Sequence, residues 1–272
     1  MSNRNLNTRA LPVLLALLMS AGNPAVAIEN GQPDRWNRNV GFMGFDTDGP
    51  AAPTPPFALC SGFVISDRAF VTAAHCIAAI PPELAQSWAV TLESGSPREP
   101  IVPPGVISLV TFNVTDFPIL VETVSATAVY LHPEFDPSTL ANDVAILEFP
   151  SGTFSVRPVR LAEPHYLDML QEKGLLARLP VLLSGYGADE DLGNWQFSIP
   201  GYRQWGFSAA AVLSDERLTL EPTSRFDARP LPGDSGSPQF VNRRVVSLES
   251  VADSQRLDIP VVRAFLAPYL AQ

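Results

Sequence analysis

Short β-prone runs, cut apart by proline and glycine, dominate this chain and point to an all-β architecture. The 272 residues include 27 prolines and 17 glycines. Ten runs rich in Val, Ile, Leu, Phe and Tyr lie between the breaks, at 59–65, 69–73, 88–92, 106–112, 124–132, 143–149, 179–186, 202–213, 239–241 and 244–248. Runs of that length between turn residues are strands, and so many of them predict a sandwich or barrel fold. Prolines cluster in the breaks, as at Pro53, Pro55, Pro56, Pro81, Pro82, Pro103 and Pro104. There a missing N–H costs no ladder bond. Only the tail, 260–270, has helical spacing, with Pro260 leading Val261, Val262, Phe265, Leu266 and Tyr269.

Three motifs stand in order along these runs: Thr72-Ala73-Ala74-His75-Cys76, Asn142-Asp143-Val144-Ala145-Ile146-Leu147 and Pro232-Gly233-Asp234-Ser235-Gly236-Ser237-Pro238. Any one of them is short enough to occur in an ordinary turn with a capping Asp or Ser. Together, with Gly62-Phe63-Val64-Ile65-Ser66, His132-Pro133-Glu134-Phe135-Asp136 and Ser184-Gly185-Tyr186-Gly187 at the flanks, the chain over 28–272 resembles the chymotrypsin/trypsin-like serine proteases. The resemblance implies two six-stranded antiparallel Greek-key β-barrels and a short C-terminal α-helix at about 260–271. The first barrel would span 28–155 and carry His75 and Asp143, and the second 156–272 with Ser235, the boundary falling near 152–158.

The chemistry explains the trio. A serine hydroxyl is a weak nucleophile until a base takes its proton, so His75 would serve Ser235. Asp143 would hold the imidazole in one tautomer and stabilise the imidazolium. The N–H groups of Gly233 and Ser235 would form the oxyanion hole. No cofactor and no metal is called for: Asp46-Thr47-Asp48-Gly49 lacks the other ligands of a calcium loop. His132 and His165 sit beside prolines in turns and carry no catalytic assignment.

Residues 1–27 form a secretory signal, with Arg4 and Arg9, an apolar run over 10–21 and Ala25-Val26-Ala27 as the cleavage site. That run is too short to span a bilayer, so no membrane anchor is expected. Cleavage there exposes Ile28-Glu29-Asn30-Gly31, similar to the mature start of the family. The resemblance then implies an ion pair between the Ile28 ammonium and Asp234 that shapes the oxyanion hole. The address is secreted or periplasmic. Lys173, the single lysine among 18 basic residues, and the compact signal fit a bacterial exported protein. Loss of the two signal arginines takes the net charge from −10 to −12, which argues against nucleic acid as a partner. A monomer acting on protein or peptide substrates is expected.

Cys60 and Cys76 are the only cysteines. In an exported protein they read as a disulfide, and the family carries one at these places, worth about 3 kcal/mol for a loop of this length. Asn113-Val114-Thr115 matches a glycosylation acceptor to which no role is assigned.

The resemblance also places the specificity pocket. Arg229, six residues before Ser235, stands at its floor, where a trypsin-like member has aspartate, so a basic side chain before the cut bond is disfavoured. Arg229 admits three readings: a partner for an acidic side chain, a pair with Glu249 that plugs the pocket, or a side chain turned to solvent. Ser247 is placed near the catalytic carboxylate, Leu248 on an open apolar shelf and Glu249 on the pocket wall. Two rivals to an endopeptidase are a catalytically silent binding protein on the same fold and an esterase using the same triad.

Overall fold

The computed structural model describes residues 28–47, 57–95, 105–108, 120, 123–224, 227–251 and 253–270. The signal segment, the 113–115 acceptor, Asp48-Gly49 and the end of the expected 106–112 strand lie outside the described residues. Strands β1 (Gln32–Pro33), β2 (Val40–Asp46), β3 (Phe57–Ser66) and β4 (Ala69–Thr72) come first, followed by the single-turn helix α1 (Ala74–Ala78). Then come β5 (Ser87–Thr91), β6 (Gly105–Ser108), β7 (Val124–Ser125), β8 (Ala128–Leu131) and β9 (Ala145–Glu148). Helix α2 (Tyr166–Glu172) precedes β10 (Pro180–Gly185), β11 (Glu190–Gly193), β12 (Gln196–Ile199), β13 (Gln204–Leu213), β14 (Arg217–Leu220), β15 (Pro238–Val241), β16 (Arg244–Glu249) and β17 (Ser254–Arg256). Helix α3 (Pro260–Leu266) follows them.

The all-β, chymotrypsin-like architecture is present. In the C-terminal half the order β13-β10-β15-β16-β17-β14 is closed by a β13–β14 pairing, giving a six-stranded barrel with β1 added outside β13. The N-terminal half is one curled sheet, β7-β5-β2-β3-β4-β9-β8. The expected strand 124–132 is bent in two. Ala126 donates to Trp88 O at 2.7 Å and Thr127 to Glu148 O at 2.7 Å. One continuous stretch therefore touches both edges of the sheet and rolls it up.

Strand β2 was not expected, and its seven residues are all buried. Its apolar residues are interrupted by Gly41 and Gly44, which blurs the pattern. At Gly41 a Cβ would fall 2.7 Å from Thr91 O, so the glycine lets β2 lie close against its neighbour. Helix α2 is likewise an addition to the tail helix. Its first residue follows His165 in left-handed backbone with no local side-chain cap. The cap comes from far away, as Leu167 N–H donates to Asp258 Oδ2 at 2.8 Å. Leu167 and Leu170 are buried beneath it.

The two halves meet over Ser61. Its N–H donates to Ser235 O at 2.9 Å and its hydroxyl to Gly233 O at 2.9 Å, while Tyr186 N–H donates to Ser61 Oγ at 2.9 Å. A second junction is the wholly buried Arg203. Its guanidinium donates to Val40 O at 2.9 Å and to the Tyr186 hydroxyl at 3.1 Å, and lies 3.7 Å from Asp34.

Candidate active site

His75 enters at the junction of β4 and α1. Ala73 is still extended and the helix opens at Ala74, so the turn puts the His75 ring at the sheet end. Cys76 beside it is bonded to Cys60 on β3, S–S 2.06 Å, which ties the junction to the adjacent strand.

Asp143 precedes β9, after Asn142 in left-handed backbone (φ 54°). Its carboxylate is entirely buried and fully engaged. Oδ1 accepts the His75 N–H at 2.8 Å, and Oδ2 accepts His75 Nδ1 at 2.6 Å and the Ser250 hydroxyl at 2.5 Å. The Asp143 N–H in turn donates to Gln255 Oε1 at 3.1 Å. Burial pushes this carboxyl up, but the His75 charge and the hydrogen bonds from His75 and Ser250 outweigh it. The net result is a carboxyl held below its ordinary range.

Ser235 sits on a turn that only glycines permit at two points. Gly233 has φ 99° and Gly236 φ 83°. A Cβ on Gly236 would lie 2.4 Å from both Ser61 O and Thr72 Oγ1, so the turn is pressed against the strand that leads to His75. Ser235 is partly exposed. The N–H groups of Gly233 and Ser235 donate to nothing among the described residues. Ser235 Oγ and His75 Nε2 form no hydrogen bond here; Nε2 lies 3.7 Å from Cys76 Sγ.

Asp234, the residue between, is turned inward and has no solvent exposure. It accepts three main-chain N–H groups: Ile28 at 2.9 Å, Leu231 at 3.1 Å and Gly187 at 2.9 Å. Burial pushes it up to about 7, against the opposing pull of the Gly187 and Ile28 N–H groups. The expected partners Ile28 and Asp234 are thus in contact.

The residues assigned to the pocket differ from expectation. Ser250, not Ser247, reaches Asp143. Ser247 Oγ instead donates to Gln239 Oε1 at 2.6 Å. Alternation along β16 explains the rest: Leu248 points the other way and is fully buried in the core, so it forms no open shelf. Glu249 does not pair with Arg229. Its Oε2 accepts Gln239 Nε2 at 2.7 Å and Ser254 Oγ at 3.2 Å. Burial, with the Asp234 charge nearby, pushes Glu249 up to about 8 despite those two hydrogen bonds. Arg229 is half-exposed, and its guanidinium lies 3.8 Å from the Glu29 carboxylate.

Glu249 nonetheless touches the site through its main chain. Its N–H donates to Ser237 O at 2.9 Å and its carbonyl accepts Gly236 N–H at 2.7 Å. The sequence reading missed Ser250, Gln255 and Ser61. Strand register, rather than any motif, is the signal that singles out Ser250: the hairpin from β16 to β17 turns directly after Glu249, so the next residue is the one that faces Asp143.

A family model described as a trypsin-like peptidase domain matches residues 60–247. The chain belongs to the trypsin-like peptidase family. It is 33% identical over 110 residues to serine protease 56 of Homo sapiens, which covers 39% of this chain and only 14% of that relative. Among solved structures, human heparin binding protein superposes with a TM-score of 0.55 at 14% identity, covering 89% of this chain and 95% of that one. The VesB protease of Vibrio cholerae gives 0.53 at 18% identity, over 89% of this chain and 67% of that one. At those identities the structural likeness speaks for the fold. No helix among the described residues is long and apolar enough to cross a membrane.

Proposed function

We propose that this protein is an exported serine endopeptidase working through an acyl-enzyme, with His75, Asp143 and Ser235 as its triad. The observation that supports it most is the Asp143 carboxylate. It is buried without solvent and spends both oxygens on His75, beside a turn whose Gly233 and Ser235 N–H groups are uncommitted.

In the reaction Ser235 Oγ attacks the peptide carbonyl while His75 Nε2 takes its proton. The carbonyl oxygen becomes an oxyanion that accepts the Gly233 and Ser235 N–H groups. His75, now an imidazolium stabilised by Asp143, returns the proton to the leaving amine. Water then enters, gives its proton to His75, and releases the acid from Ser235. Ser235 Oγ and His75 Nε2 are not hydrogen-bonded to each other in the structure, and on this reading substrate brings the two groups together.

Signal cleavage at Ala27 would convert the Ile28 N–H into an ammonium already within reach of Asp234. The positive charge would counter the burial that raises this carboxyl. Specificity before the cut bond is not trypsin-like on this reading, since Arg229 occupies the pocket-floor position.

Steady-state peptide hydrolysis by the mature protein and its Asp143→Asn variant tests the proposal. A fall in kcat of about 10⁴ with little change in KM is expected. Hydrolysis of small esters without peptides would transfer the reading to an esterase. No turnover of either by correctly processed protein would leave a silent binding fold.

A further inference from the structure

Every carbonyl from Pro232 to Ser235 accepts a hydrogen bond. Pro232 O takes the Ala188 N–H at 2.9 Å, Asp234 O the Ser237 N–H at 2.7 Å and Ser235 O the Ser61 N–H at 2.9 Å. Gly233 O differs in kind, since its donor is a side chain, the Ser61 hydroxyl at 2.9 Å. Among the described residues no other side chain holds a carbonyl of this turn.

A trans peptide unit is planar, so its N–H points opposite to its C=O. Anchoring Pro232 O therefore aims the Gly233 N–H, and anchoring Asp234 O aims the Ser235 N–H. The unit between them, Gly233 C=O with Asp234 N–H, sets the angle from one to the other. Its N–H end donates to Leu231 O at 3.0 Å, and its carbonyl end rests on Ser61. Gly233 cannot hold that unit by itself. At φ 99° and without a Cβ it is the residue freest to rotate, yet a Cβ added there would lie 2.9 Å from Gly187 Cα. The restraint has to come from a neighbour.

Ser61 is built to supply it. It lies within β3, wholly buried, and each of its polar groups is engaged. Its N–H goes to Ser235 O, its carbonyl accepts Thr72 Oγ1 at 2.8 Å, and its hydroxyl oxygen accepts the Tyr186 N–H at 2.9 Å, which leaves the hydroxyl proton for Gly233 O. One residue earlier, Cys60 is bonded to Cys76 beside His75, so one strand steadies both the turn and the base.

We propose that the Ser61 hydroxyl is a positioning group for the oxyanion hole, fixing the Gly233–Asp234 peptide so that the Gly233 and Ser235 N–H groups converge on one oxygen. The proposal rests on the serine endopeptidase reading and adds to it a residue from the other half of the fold that never touches substrate.

The test uses the mature protein acylated at Ser235 by N-cinnamoylimidazole, whose ester carbonyl enters the oxyanion hole. Deacylation is a first-order step that does not depend on substrate affinity. The carbonyl stretching band reads the donors directly, because a hydrogen-bonded carbonyl vibrates at lower frequency. Ser61→Ala is expected to slow deacylation about tenfold to a hundredfold, less than the loss of a whole donor, and to move the band to higher frequency. Ser184→Ala removes another wholly buried hydroxyl, one that donates to Asp34 Oδ2 at 2.6 Å. It is expected to lower the unfolding midpoint while leaving the band in place and the rate within about twofold. Ser61→Gly takes the place of Ser61→Ala if that variant does not fold. A Ser61→Ala acyl-enzyme with the parental band and rate would overturn the proposal, and so would a slowing that Ser184→Ala matches. A parent protein that takes up neither the cinnamoyl group nor a fluorophosphonate would overturn the endopeptidase reading and the proposal with it. A parent that takes up both, with Ser61→Ala unchanged from it, sinks the role of Ser61 alone.

Discussion

Glu249→Gln is expected to stabilise this protein above neutral pH and to do almost nothing in mild acid. Glu249 is 5% exposed, and burial beside Asp234 raises its carboxyl from its ordinary 4.5 to about 8. The folded state therefore keeps a proton that the unfolded chain has released. Its stability falls as pH rises from about 4.5 and levels off above about 8. Each pH unit in that window costs about 1.4 kcal/mol, so the deficit at pH 7 is about 3 kcal/mol. Glutamine keeps the shape and an acceptor oxygen for Gln239 and Ser254 but never has to hold the proton. Denaturant unfolding of Ser235→Ala protein, with and without Glu249→Gln, at pH 5 and pH 8 reads the difference. A gain at pH 8 that disappears at pH 5 is expected. The same change in stability at both values would refute the reasoning.

Ser250→Ala is expected to lower kcat about tenfold to a hundredfold by removing a hydroxyl donor from a buried carboxylate. Ser247→Ala, whose hydroxyl serves Gln239, should cost about 1 kcal/mol of stability and leave kcat within twofold, a contrast that steady-state kinetics and unfolding curves separate. Replacing both Cys60 and Cys76 by Ala should cost about 3 kcal/mol, because the disulfide closes a loop with a sequence separation of 16. An unchanged unfolding midpoint would contradict it.

The parts of the site that depend on a local turn were legible from sequence. Gly233 and Gly236 announce the nucleophile turn because no other residue takes its backbone there, and the Cys60–Cys76 pair followed from the resemblance. Parts that depend on register were not legible. Ser247 and Ser250 lie three residues apart near one strand end, and the choice between them is made by where β16 turns into β17, which no single motif records. A pair between Glu249 and Arg229 was one of the three readings their pocket positions allowed. The fold instead gives Glu249 to Gln239, a neighbour across β15 and β16, and leaves Arg229 beside Glu29. Helix α2 escaped notice for a similar reason, since its cap, Asp258, is supplied from 91 residues further along the chain. Strand β11 has no apolar alternation because all four of its residues are exposed.

The central claim is that Ser235 is an activated nucleophile. Intact mass spectrometry of the exported protein, before and after a fluorophosphonate, tests it most directly. The account predicts a chain beginning at Ile28 that gains one adduct, lost in Ser235→Ala. A chain beginning at Ile28 that gains none would contradict it.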